Sequence, residues 1–377
     1  MKKNMLMIVV VVLTSCSFLL TGCGNARNSQ NSSSSNPTQI NLYASGDTNI
    51  QQLWDTVIIP AFEHQYPDIK VNDVFLTHKQ GQEAVLVKLK AATEAGKSSD
   101  VDLYEGDPGD VALGGTVPIW LKLSPSDISN LSSVQKGLAG PVSGYAAPYR
   151  ASSIVLAYNA TTVPNPPRTF NELIRWISSH PGRFTYNDPS AGGSGRAFVV
   201  EALYKYDYPV PVNGYDKNIE SKWAQGFQLL KSLNADIYQK GVYPTGNQDI
   251  LNLLGNGDID MAPVWSDMAL SALQKGTLPS NIKLIQITPG FVGGGSYLFV
   301  PSMSVHKAEA YKFINFVLSP TTQALIVMKI NGYPAINWSQ LPSDLQSKFA
   351  GISGEYRYWP GQYNSDLIKM WQQVVPG

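Results

Sequence analysis

The feature that most constrains this chain is an alternation of two hydrophobic periods near its start. Gln39 to Ser45 alternates apolar and polar residues with a period of two, and Gly46-Asp47 ends the run. Ile50, Leu53, Trp54, Val57, Ile58, Ala61 and Phe62 then recur at spacings of three and four, which is one apolar stripe on a helix. Asp47 or Thr48 is placed to cap that helix, and Pro60, inside the stripe, should kink or interrupt it. After the turn Tyr66-Pro67-Asp68, Ile69 to Leu76 reads as a strand. Gln80 to Ala95 reads as a helix closed by Gly96, and Val101 to Tyr104 as a strand running into Glu105-Gly106-Asp107-Pro108-Gly109. Strand, helix, strand, helix, strand implies a parallel α/β sheet.

The alternation continues past Ala147 to the late helices Ala308 to Leu318 and Thr321 to Lys329. Strands are expected at Ser153 to Tyr158, Phe184 to Asn187, Ile259 to Val264, Ile282 to Ile287 and Ser296 to Val300. Thr169-Phe170-Asn171-Glu172 has the spacing of a capping box. The pattern is too long for one small sheet, and the break near Tyr149 suggests a second α/β lobe. At 377 residues the chain has length for two to three domains of roughly 150 residues. No repeat of about 20 to 50 residues is present.

The first residues read as an address. Lys2 and Lys3 precede a mostly apolar run from Met5 to Leu20, short for a spanning helix, and then Leu20-Thr21-Gly22-Cys23. The small pair before Cys23 resembles the lipobox of bacterial lipoproteins, which implies cleavage after residue 22 and lipid on the Cys23 thiol. Residues 23–38, with Ser32-Ser33-Ser34-Ser35 inside them, are polar and aperiodic and read as a tether. Loss of the two lysines leaves a formal charge of −2.

Composition narrows the chemistry. With 28 basic against 28 acidic residues, the charge balance argues against a nucleic-acid partner. Four histidines without zinc-ligand spacing and two cysteines leave little for a soft-metal or thiol enzyme, so no metal site is expected. Ala91 to Ser98 matches a relaxed phosphate-loop pattern. That loop needs a strand before it and a helix after, and here the order is reversed, so Gly96 reads as a helix cap.

In open α/β sheets ligands sit beyond the carboxyl ends of strands. Those ends supply Ser45 and Asp47, Glu105 and Asp107, Asn187 to Gly195, and Trp265, Ser266 and Asp267; Tyr149 and Arg150 lie at the break, and Tyr297 opens a late strand. In Ser190-Ala191-Gly192-Gly193-Ser194-Gly195, glycines let backbone approach a ligand and the following helix start offers N–H groups to an oxygen; the alternative is a plain loop whose serine caps a helix. Trp265 is read either as a ring for a sugar, heterocycle or cation, or as packing under the next helix with Asp267 as its cap. Glu105 and Asp107 suit hydroxyls or a cation, or are solvated loop acids. Arg150 suits a carboxylate or phosphate, or pins a hinge to an acid. Tyr149 and Tyr297 have core or hinge packing as their alternative.

Four stretches resemble the family 1 extracellular solute-binding proteins of ABC importers. They are Phe62-Glu63-His64-Gln65-Tyr66-Pro67-Asp68-Ile69-Lys70-Val71, the segment Ala157-Tyr158-Asn159 through Pro164 to Leu173, Gly255-Asn256-Gly257-Asp258-Ile259-Asp260-Met261-Ala262, and Ala310 to Ser319 with Gln323. The resemblance implies a two-lobed periplasmic-binding-protein-like fold of type II, with two sheets, flanking helices and a hinge between lobes that close on a ligand. It places 39–148 plus 293–325 in the first lobe and 149–292 plus 326–377 in the second, with crossings near 148–151 and 289–295. It implies a non-enzymatic, monomeric receptor, exported and lipid-anchored to the outer face of the cell membrane. The receptor would capture a small polar solute (a sugar, a polyamine or thiamine-like compound, or an oxyanion-bearing molecule) and pass it to a permease and its ATPase subunit. An extracellular glycan hydrolase using Glu105 and Asp267 as its carboxylate pair, and a surface sensory or adhesive protein, are the alternatives.

Overall fold

The N-terminal alternation forms the sheet its periods predict. Strand β1 (Thr38–Tyr43) pairs in parallel with β2 (Ile69–Asp73), from Thr38 opposite Ile69 to Leu42 opposite Asp73. Its other edge pairs in parallel with β3 (Leu103–Gly106) through Leu42–Leu103 and Tyr43–Tyr104. The computed structural model describes residues 36–76, 78–114, 117–206, 216–349, 352, 357 and 359–376, with backbone alone at 78–80 and 113–114. The chain divides into Met1–Asn36 and Pro37–Gly377, and everything below concerns the second unit. The expected signal peptide, Cys23 and residues 23–35 of the tether lie outside the described residues.

Pro60 interrupts its helix in a specific way. The stripe splits into α1 (Thr48–Leu53), a π turn (Trp54–Ile58) and α2 (Ile59–Gln65), with Pro60 in the first turn of α2. The Ile59 N–H donates to the Trp54 carbonyl five residues back, so the widened turn takes up the register that Pro60, lacking an N–H, cannot continue. The apolar face survives: Leu53, Trp54, Ile58 and Phe62 are all buried. Helix α3 (His78–Glu94) ends at Gly96, which takes a φ of 62°. This is the cap expected there, with no helix following it as a phosphate loop needs.

The break read near Tyr149 is instead one continuous strand, β4 (Ala147–Asn159). Its first half pairs antiparallel with β7 (Gly293–Phe299), from Ala147–Leu298 to Ser153–Gly293, with an irregularity between Pro148 and Arg150. Its second half lies between β5 (Met261–Trp265) and β6 (Ile282–Ile285), both antiparallel. Because β7 also pairs with β3, the order β2-β1-β3-β7-β4 runs into a second sheet, β6-β4-β5, through one shared strand. The expected strand Phe184 to Asn187 reduces to a single bridge, Phe184 to Met261, because Asn187 turns away to cap a helix.

Helices flank both sheets: α4 (Lys136–Ala139), α5 (Phe170–Ser179), α6 (Gly193–Tyr204), α7 (Ala224–Ser232), α8 (Asn247–Asn256), α9 (Ser266–Lys275), α10 (Lys307–Val317), α11 (Pro320–Ile330), α12 (Ser343–Ser347) and α13 (Asn364–Val374). The capping box before α5 is complete: Thr169 Oγ1 accepts from the Glu172 N–H at 3.2 Å, and Glu172 Oε2 accepts from the Thr169 N–H at 3.2 Å. The C-terminal tail divides. Strand β8 (Tyr333–Pro334) pairs with Arg150–Ala151 on the sheet of β1, while Tyr363, Leu367 and Trp371 join the core around Tyr186 and Phe198. Assigning all of 326–377 to the second lobe therefore does not match the pairing of 333–334.

At the end of β2, burial pushes the Asp73 carboxyl up to about 7, with the nearby Asp55 adding to it. Neither Asp73 oxygen finds a donor among the described residues. The native state then holds a proton that the unfolded chain gives up near its ordinary value of 3.8, so this group lowers stability as pH rises from there through about 7. Asp73→Asn should raise the melting temperature by a few degrees at pH 8 and leave it nearly unchanged at pH 4; equal shifts at both pH values would contradict this account.

Candidate functional site

The carboxyl ends of β1, β3 and β5 open onto one cleft of about 1080 Å³. Gly46, Asp47 and Asp107 to Gly109 line it from the first sheet, Trp265 and Asp267 from the end of β5, and Gly193 and Arg196 from the start of α6. Both strands that run between the sheets, β4 and β7, contribute to the wall through Arg150 to Ser152 and Gly293 to Tyr297.

Arg150 sits at the junction. Its Nε donates to Tyr149 Oη at 2.9 Å, and Tyr149 Oη donates to Glu105 Oε1 at 2.6 Å. Its guanidinium lies 3.7 Å from Glu105 and 4.0 Å from Asp267, and the arginine side chain is only 11% exposed. The other Glu105 oxygen accepts from the Trp54 indole N–H at 3.1 Å and the Ser45 N–H at 3.2 Å. Asp267 accepts from Ser152 Oγ at 2.8 Å. Burial holds both carboxyls above the ordinary carboxylate range, and Arg150 pulls each back down. Arg150 thus ties an acid at the end of β3 to an acid at the start of α9.

The glycine loop is organised by two asparagines. Asn187 Oδ1 accepts from the Gly195 N–H at 2.7 Å and lies 2.7 Å from Ser194 Oγ. Asn247 Oδ1 accepts from the Ser194 N–H at 3.4 Å and lies 2.9 Å from the same hydroxyl. Two of the N–H groups expected to be open at this helix start are therefore taken, leaving the Gly193 N–H on the cleft wall. A side chain at Gly193 would meet Trp265 Cζ2 at 2.5 Å, so the indole lies against the start of α6.

Of the residues singled out in the sequence, Asp47, Asp107, Arg150, Gly193, Trp265, Asp267 and Tyr297 line the cleft. Ser45, Glu105, Tyr149, Asn187, Ser194 and Ser266 stand behind the wall and hold those that do. Ser266 Oγ accepts from the Ser153 N–H at 3.3 Å, and Tyr297 Oη donates to the Leu138 carbonyl at 3.0 Å. Ser190 is exposed away from the cleft and donates to Asp188 at 2.6 Å. Trp265, not Asp267, is the N-cap residue of α9.

Sequence reading missed Ser152, Arg196, Asn247 and Arg357. Arg196 had a local signal, since it stands three residues after Gly193 and so on the same face of α6. Arg357, in the tail, had none. It donates through Nε to the Gly290 carbonyl at 3.1 Å, pairs with Glu201 and lies 4.5 Å from the Tyr204 ring centre.

Two sheets sharing a strand, with a ligand-sized cleft where their strand ends meet, define a two-lobed periplasmic-binding-protein-like fold of type II. The chain belongs to the bacterial extracellular solute-binding protein family, whose profile matches residues 58–350. Protein YnjB of Escherichia coli (strain K12) is 22% identical over 196 residues, and the chain spans about half the length of that curated relative, which itself matches 50% of this chain. A putative extracellular solute-binding protein from Bordetella parapertussis superposes with a TM-score of 0.70 at 16% identity, over 89% of this chain and 98% of that one. Maltose-bound MalE3 of T. maritima gives 0.68 at 18%, over 90% and 94%. The spermidine/putrescine ABC transporter substrate-binding protein PotD of Streptococcus pneumoniae gives 0.66 at 15%, over 90% and 99%.

Proposed function

We propose that this protein is the capture subunit of an ABC importer, closing two lobes on a small polar solute and delivering it to a membrane permease and its ATPase subunit. The observation that carries this reading is the cleft itself, walled by strand ends of both sheets and spanned by β4 and β7. On this reading the lobes are 39–148 with 293–349 and 149–292 with 361–376. The chain is exported, held to the outer face of the cell membrane by lipid on Cys23, and acts as a monomer with no cofactor and no turnover. The solute-contacting residues are those on the wall, with Trp265 and Arg196 foremost. A glycan hydrolase needs two carboxylates free to act on a bond between them. Glu105 and Asp267 instead share a guanidinium, and Glu105 lies behind the wall, which favours binding over hydrolysis.

A thermal-shift screen of residues 29–377 against sugars, polyamines, thiamine and its phosphates, amino acids and oxyanions tests the reading. A solute at 100 times its Kd should add about 2.7 kcal/mol, seen as several degrees, and should be recovered unchanged. Trp265→Ala should abolish the shift. Release of product from a glycan polymer, or no shift together with no small molecule in the denatured sample, would overturn capture.

A further inference from the structure

We infer that the captured solute carries an oxyanion head, a carboxylate or phosphate, and that Arg196 with the Gly193 N–H is its seat; this rests on the capture reading above. The cleft's other arginines are already engaged: Arg150 by Tyr149, Glu105 and Asp267, and Arg357 by Glu201 and the Gly290 carbonyl. Arg196 lines the same wall and, among the described residues, has neither a carboxylate in ion-pair range nor a hydrogen-bond acceptor. Asp107 lies close enough to act on its charge, and Asp107 Oδ1 accepts from the Gly109 N–H at 2.7 Å. Burial correspondingly pulls the Arg196 guanidinium below its ordinary range.

A half-buried guanidinium without acceptors among the described residues is costly to keep, and its planar fork matches the paired oxygens of carboxylate and phosphate. Gly193, one turn earlier on α6, adds a backbone donor beside it, and the Trp265 ring offers an apolar surface to the rest of the solute. Of the two acids expected to receive a cation, Glu105 is behind the wall, and Asp107 lines the cleft with Oδ1 turned to the Gly109 N–H at 2.7 Å.

The test uses the full chain in detergent: wild type, Arg196→Met, Arg196→Lys, and Arg175→Met on the exposed face of α5. The probes are amino acids, dicarboxylates, sugar phosphates, the matching neutral sugars and spermidine, followed by calorimetry and by melting without solute. Binders should carry an oxyanion, and pairs with one body and different heads separate carboxylate from phosphate. Arg196→Met should weaken them by about 10- to 150-fold, the range of a charge-assisted hydrogen bond, with Arg196→Lys between. Without solute, Arg196→Met should melt at or above the wild-type temperature, because an unpaired charge leaves the wall. Arg175→Met should change neither. Tight binding of a neutral or cationic solute that Arg196→Met leaves intact would overturn the inference while capture stands. A solute-free Arg196→Met that melts several degrees lower would make Arg196 structural and also overturn it. No binding by wild type in any class would remove both readings.

Discussion

Arg150→Met should cost about 3–5 kcal/mol at pH 8, the penalty for leaving a buried charge without its partner. Two carboxyls depend on this guanidinium, Glu105 at 3.7 Å and Asp267 at 4.0 Å, and their side chains are 3% and 6% exposed. Burial already raises both above the ordinary range with Arg150 in place, so its loss should raise them further. The sign of the pH dependence follows. A carboxyl raised in the folded state binds a proton that the unfolded chain has released, so stability falls as pH climbs from the unfolded value through the folded one. The window is wider and deeper in the variant. Its deficit against wild type should therefore be large at pH 8 and shrink as pH falls toward the ordinary carboxyl values of 4.5 and 3.8, where the unfolded chain also takes up these protons and the lost packing comes to dominate. Urea denaturation at the two pH values reads this directly. A deficit independent of pH would mean that Arg150 acts through shape and not through charge.

The same residues show what the sequence discloses and what it withholds. Periods of two and of three-to-four carried the sheet and helices near the start, and the capping box at Thr169 to Glu172 was legible because its partners are three residues apart. Pro60 declared an interruption, but the π turn that absorbs it depends on packing of the whole stripe. Arg150 was legible as a cleft or hinge residue because it lies at the crossing. Its partners were not, since Glu105 and Asp267 reach it from other strand ends. Asn187 was read as a ligand contact because it follows an apolar run. It caps α6 through the Gly195 N–H, while Asn247 reaches Ser194 across 53 residues, a pairing no local pattern links. Glu105 and Ser194 likewise stand behind the wall. A polar residue at a strand end looks alike in sequence whether it faces the cleft or holds the wall from behind.

Gly195→Ala should be among the most disruptive single substitutions, at about 4 kcal/mol or more, and its cause is space alone. Gly195 lies within α6, where alanine is the better helix former, so backbone propensity predicts a gain. Against that, an added Cβ would overlap the Asn187 carbonyl oxygen and approach Asn187 Oδ1 at 3.0 Å. The first of these is main chain and cannot swing away. It lies that close because the Asn187 side chain must reach the Gly195 N–H at 2.7 Å. Relief requires α6 to move off the 187–192 segment, which breaks the cap and shifts Gly193 and Arg196 relative to Trp265. Solute affinity should therefore fall with stability. Gly257→Ala is the opposite case: its φ of 77° favours glycine, yet no atom lies within 4 Å of an added Cβ, so the expected cost is about 1 kcal/mol with affinity unchanged. Denaturant midpoints for the two alanine variants, with solute affinity for each, separate steric exclusion from backbone strain. A Gly195→Ala protein within 1 kcal/mol of wild type would show that the 187–195 turn relaxes readily, and would weaken the case that this turn fixes the cleft wall.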